Sequence, residues 1–245
     1  MGRTDETIVA SKNPAKYYLD WKSNNKCFSF YDKEKGADVE LKLPFKFLFL
    51  KQLSSVRGWH DASGSGIYSN EVENTAQQAL TVKAFKGGTL ATGLYKDIKL
   101  SINALGGVYN RQIYLMTEKG VLLNLALKGT AVAEWNEFYK TNSTKITGEW
   151  IVVKDVKTGK KGSVSYSTPN FELGGAISIE QAATADALYD TLIEYVKGRI
   201  QEETTEATSR TDSHPAAAAT NTPAVSDPPQ SDFSEEDDSD DSFPF

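Results

Sequence analysis

Beyond Gln201 the chain has almost nothing from which to build a core. Residues 202–245 contain no Gly, Leu, Ile, Met, Trp or Tyr, yet hold five of the eight prolines. So little apolar mass does not offset the entropy of ordering a backbone. Any packed domain is therefore expected within residues 1–201. Charge divides at the same place. The tail sets twelve acids against Arg210 alone, or −11, while the body sets 26 bases against 21 acids, or +5, which together give the −6 of the whole chain. A basic body joined to an acidic tail fits a polyanion-binding domain with an interaction tail.

Within the tail, residues 202–231 are expected to form a disordered linker, because His214–Gln230 is dominated by Ala, Thr and Pro. Residues 232–245 contain seven acids and no base, and close on Asp-Asp-Ser-Phe-Pro-Phe. A purely solvating tail gains nothing from Phe243, Pro244 and Phe245. These read instead as the apolar anchor of a short peptide ligand, with Asp237, Asp238, Asp240 and Asp241 facing a basic rim on a partner.

Several classes are disfavoured. Cys27 is the single cysteine, so no intramolecular disulfide framework forms. No run of 18 apolar residues suggests a membrane helix, and the N-terminal residues lack an apolar signal region. A cytoplasmic protein is the expectation, in the host cell if it is viral. Two histidines and one cysteine do not make a usual zinc site, and Gly88–Gly93 lacks the Lys-Ser/Thr of a phosphate-binding loop. Asp61–Gly66 has half the pattern of a calcium loop but Val72 at its twelfth position, so it reads as a turn. Neither an enzymatic activity nor a cofactor is expected.

The body reads as short strands separated by glycine-marked turns. Tyr17, Leu19 and Trp21 alternate with Lys16, Tyr18, Asp20 and Lys22, the period of a half-buried strand. Further strands are expected at 26–31, 39–43, 45–59, 79–85, 108–117 and 121–128, with Pro44 at the entry to the longest. A hairpin is expected from 149–156 and 163–168 around a lysine-rich turn at 157–162. Residues 130–140 and 179–201 carry helical spacing, the second with a stripe of Ala185, Leu188, Leu192 and Tyr195. Residues 89–103 fit neither period clearly. About eight strands with such turns predict a closed or nearly closed antiparallel barrel with one or two helices.

The body holds 23 of the 26 aromatic residues, several beside cations. Arg57 and Trp59, Lys83, Phe85 and Lys86, and Tyr109, Arg111 and Tyr114 combine a phosphate contact with a ring. Single-stranded nucleic acid binding uses that combination, because every base offers a face to stack on. Lys154, Lys157, Lys160 and Lys161 concentrate further charge on the expected hairpin. These twelve residues are the candidate DNA contacts, with core packing as the alternative role of each ring.

The closing Asp-Asp-Ser-Phe-Pro-Phe resembles the C-terminal tip of bacterial single-stranded DNA-binding proteins. The body resembles the single-stranded DNA-binding proteins of tailed bacteriophages, through Asn13-Pro-Ala-Lys-Tyr-Tyr-Leu-Asp-Trp-Lys22, Leu43-Pro-Phe-Lys-Phe47, Tyr68-Ser-Asn-Glu71 and Gly107-Val-Tyr-Asn-Arg-Gln-Ile-Tyr114. The resemblance implies an elaborated OB barrel over 1–201 that binds single strands without sequence preference. It implies a role in phage DNA replication, recombination or repair, with 232–245 recruiting a polymerase, primase or helicase. No membrane partner is expected, and self-association is left open. The alternative is an acidic-tailed scaffolding or chaperone protein that binds basic proteins.

Overall fold

The computed structural model describes residues 13–211, without the side chains of Lys161 and residues 200–211. The N-terminal residues, the tip at 232–245 and linker residues 212–231 lie outside the described residues. The fold is mainly β. A meander of β1 (Tyr17–Lys22), β2 (Cys27–Asp32) and β3 (Ala37–Leu41) leads into the long β4 (Phe45–His60). A short 3-10 turn at Asp61–Ser63 precedes β5 (Ser65–Ser69), β6 (Leu80–Ala84) and β7 (Gly88–Gly93). Helix α1 (Tyr95–Ala104) follows, then β8 (Gly107–Thr117), β9 (Leu122–Lys128) and helix α2 (Thr130–Asn142). The hairpin of β10 (Glu149–Lys161) and β11 (Val164–Ala176) ends in helix α3 (Ile179–Thr211).

All strands join one sheet in the order β3-β2-β1-β9-β8-β4-β5-β6-β7, with β10 and β11 branching from the start of β4. Every pairing is antiparallel except β1 beside β9. β11 returns towards the end of β1 through side chains. The Ser167 amide donates to Ser23 Oγ at 2.7 Å, and its carbonyl accepts from Trp21 Nε1 at 2.8 Å. The main core lies between these walls. One face of the sheet contributes Leu19, Phe47, Phe49, Ile113, Leu115, Leu123 and Leu125, and α2 covers them with Val132 and Trp135. We call this the inner face.

The outer face of the same strands carries Leu48, Leu53, Tyr114, Met116 and Leu122, and α3 covers it with Ala185, Leu192, Tyr195 and Val196. A Ser178/Gln181 capping box opens α3: Ser178 Oγ accepts the Gln181 amide and Gln181 Oε1 accepts the Ser178 amide. The far half of β4 supports a smaller wing. There Val56, Ile67, Leu80 and Val82 pack under Ile98 and Ile102 of α1.

Several expectations change. The sheet has eleven strands and is mixed, because β9 meets β1 in parallel and a barrel wall built only of hairpins has no such pair. Among the described residues three helices form instead of one or two. The ambiguous 89–103 splits into an edge strand and α1. The lysine-rich turn is strand: β10 continues through Lys161, and the chain reverses at Gly162-Ser163. Gly159, which suggests a turn in the sequence, sits opposite Tyr166, whose ring occupies the space a Cβ would need. Helix α3 also runs past Gln201 into the expected linker, since no Gly or Pro interrupts residues 202–211. Among the described residues no helix is long and apolar enough to cross a membrane.

Candidate nucleic-acid interface

At the end of β4 the outer face emerges from under α3 and loses its cover. Along β4 the alternation continues through Leu53, Ser55, Arg57 and Trp59. Antiparallel register places Tyr68 opposite Arg57 and Lys83 opposite Tyr68, so these three form one row on one face. Trp59 lies opposite Gly66, and the Phe85 amide donates to the Gly66 carbonyl at 3.1 Å, which makes a second row. The opposite side of the same strands is the wing core, so these rings have no buried alternative. Phe85 is 73% exposed, Trp59 57% and Tyr68 37%.

The rings are arranged, not scattered. Tyr68 and Phe85 stack with centroids 4.6 Å apart and planes at 29°. A Cβ built on Gly66 would lie 3.3 Å from two atoms of the Phe85 ring. Gly66 therefore leaves a floor between Trp59 and Phe85 over which Phe85 lies flat. Gly58 holds the other side. A Cβ there would be 2.0 Å from the Gly106 carbonyl oxygen, so the turn after α1 abuts the backbone next to Trp59. Lys83 and Lys86 pair with no carboxylate among the described residues. Three aromatic rings and two cations, Arg57 and Lys83, thus share one open sheet face, with Lys86 in the turn that follows Phe85, the combination that stacking and phosphate contact require.

The remaining candidates are elsewhere. Tyr114 is fully buried under α3, and its hydroxyl bonds fix it there, so it is a core residue and not a stacking ring. Tyr109 and Arg111 sit on the inner face, because Val108 and not Tyr109 pairs with Arg57. There the Arg111 guanidinium lies 5.7 Å from the Tyr109 ring centroid and donates to Ser54 Oγ at 3.0 Å. The hairpin cations stand at the opposite end of β4, about 40 Å along the strand from Trp59 at 3.3 Å per residue. Lys154 pairs with Glu172 at 3.3 Å and Lys157 with Glu134, while Lys160 is exposed. Lys161 is strand, and its side chain lies outside those described. The structure brings Arg57, Trp59, Lys83, Phe85 and Lys86 together and adds Tyr68 and Gly66. The alternation Gly66-Ile67-Tyr68 beside the Gly-rich loop carries that signal, but only pairing shows which ring it meets. Tip residues Asp237, Asp238, Asp240, Asp241, Phe243, Pro244 and Phe245 lie outside the described residues.

Behind the interface lies a buried acid. Tyr114 donates its hydroxyl to Glu71 Oε2 at 2.6 Å, and Asn13 Nδ2 donates to Tyr114 Oη at 2.8 Å. Burial holds the Glu71 carboxyl above its ordinary 4.5, against the Tyr114 hydrogen bond and the charges of Arg57 and Arg199. Burial, then the Glu71 charge, pushes the Tyr114 hydroxyl far upward, so it stays the donor. With the folded value raised, the fold binds more protons than the unfolded chain above 4.5, and stability falls as pH climbs through that window. Glu71→Gln, always neutral and still able to accept from Tyr114, should flatten this fall and be at least as stable at neutral pH. Thermal melts from acid to neutral pH check it; parallel curves for the two proteins would contradict the raised carboxyl.

No family model matches this chain, and no curated protein or solved structure is significantly similar to it.

Proposed function

We propose that this protein binds single-stranded DNA without sequence preference, through the open face of β4, β5 and β6. The observation that carries the reading is the exposure of Trp59, Phe85 and Tyr68 on one face with Arg57 and Lys83, beside the turn that carries Lys86. A domain exposes few large rings without use, and here the sheet positions them beside Arg57 and Lys83. An elaborated OB-type barrel is the fold in this reading. It is supported by a main core lined by β1, β9, β8, β4, β10 and β11, whose last strand bonds back to the end of β1. In this reading the protein coats single strands during phage replication, recombination or repair. The acidic tip, with Phe245 as apolar anchor, recruits a polymerase, primase or helicase to the coated strand. Charge supports that division of labour: the body is basic and the tip is acidic throughout.

Salt dependence tests the phosphate contacts. Three phosphates neutralised by Arg57, Lys83 and Lys86, at about −0.7 each, give a slope of roughly −2 for log K against log salt. Poly-dT and mixed-sequence strands should bind with similar affinity. A slope near zero, or strong preference for one base, would contradict this face as a sequence-independent groove.

A further inference from the structure

One charge on the inner face has no counter-charge. The alternation of β8 sets Tyr109 and Arg111 in line with Ile113 and Leu115, which face the main core. An arginine in that line is out of keeping with its apolar neighbours. Tyr109 packs against the main core, and its ring also meets that of Tyr95, the first residue of α1, with centroids 5.1 Å apart. Tyr95, Tyr109 and Arg111 are all half-buried, so the spot is partly open to solvent.

The guanidinium is only partly used. Its Nη1 donates to Ser54 Oγ at 3.0 Å, and Ser54 Oγ lies 2.9 Å from Tyr109 Oη. Nε is buried without a hydrogen-bond partner, and Nη2 has none among the described residues. Nη1 is the nitrogen on the Cδ side, so the unused edge of Nε and Nη2 is one that grips an oxyanion by two parallel bonds. No carboxylate lies within ion-pair distance of Arg111 among the described residues. The neighbouring turn supplies none either. Leu127 of β9 pairs with Arg111, and α2 then opens at Gly129 with no side-chain cap and no acid in its first turn. A half-buried cation without a partner destabilises a fold, and an anion on that edge would relieve it.

We infer that Arg111 holds the phosphate group of a mononucleotide, with the base against the rings of Tyr95 and Tyr109. A nucleotide brings phosphate and base together, so a fork beside rings suits it better than a bare carboxylate. The site is on the reverse of the open face, because Val108 and not Tyr109 pairs with Arg57. It therefore stands whether or not that face binds DNA.

Calorimetric melts of the full-length protein test this, in chloride buffer at constant ionic strength, with dTMP, inorganic phosphate, thymidine or acetate added. At about 10 mM, dTMP should raise Tm by at least about 5 °C and phosphate by less, while thymidine and acetate should not raise it. Arg111→Met should lose the rise. Ser54 and Tyr109 still bond each other in that variant, so neither hydroxyl is orphaned. Arg57→Ala with Lys83→Ala, which removes cations from the open face, should keep the whole rise. No rise with dTMP, a rise kept in Arg111→Met, or an equal rise with acetate would overturn the inference. If Arg111→Met does not fold, the open-face variant decides. A rise kept there supports the site, and a rise lost there places the anion on the open face and overturns it.

Discussion

Trp59→Ala and Phe85→Ala should each weaken oligo-dT binding by about 1–3 kcal/mol, or roughly 5- to 150-fold, while leaving thermal stability nearly unchanged. Both rings are more than half exposed, so their removal opens no cavity. Phe85→Ala also removes the stacked partner of Tyr68, which frees that ring to rotate and so adds to the loss. Tyr114→Ala should behave in the opposite way, losing stability through the emptied core position and the orphaned Glu71 carboxylate. Equilibrium binding and melting on the same three variants separate the groups. Unchanged affinity in folded Trp59→Ala and Phe85→Ala proteins would remove this face from the site.

Trp135→Ala should be the most damaging single change to the fold. The ring is fully buried and centres the inner core, 5.8 Å from Phe49 and 5.1 Å from Phe171 in an edge-to-face contact. Its indole N–H donates to Gln52 Oε1 at 2.9 Å. Truncation of a buried Trp costs about 3–5 kcal/mol, and the abandoned Gln52 carbonyl adds to that. At about 2–4 °C per kcal/mol for a chain of this size, Tm should fall by roughly 6–20 °C. A Tm within a degree of wild type would mean that α2 is not seated on the sheet as described.

Strands whose alternation is complete were legible from the residues alone. Tyr17–Lys22 buries Leu19 and Trp21 and exposes Tyr18 and Asp20 as the pattern requires. The helices at 130 and 179 likewise follow from their apolar stripes. What the sequence hides is non-local. Nothing local says that β9 pairs with β1 in parallel, or that Gly58 meets Gly107 and so fixes the register of β4 on β8. That register alone decides that Tyr109 and Arg111 face away from Arg57 and Trp59. Gly88-Thr-Leu-Ala-Thr-Gly93 has too few large side chains to signal an edge strand, and the hairpin lysines resemble a turn because Gly159 relies on Tyr166 across the ladder. The pairing of cation and ring at Arg57/Trp59 and Lys83/Phe85 was readable; that Tyr68 joins them required the sheet.

Intrinsic tryptophan fluorescence tests the central claim most directly, because three of the four tryptophans report on the core. Trp21, Trp135 and Trp150 are buried, and only Trp59 faces solvent on the proposed groove. Titrating the full-length protein with oligo-dT at low salt should give saturable quenching that added salt reverses. Trp59→Phe should still bind, since a stacking ring remains, but its fluorescence should no longer respond. Wild-type fluorescence that ignores oligo-dT at low salt, or quenching that persists undiminished in Trp59→Phe, would contradict a strand stacked on this face.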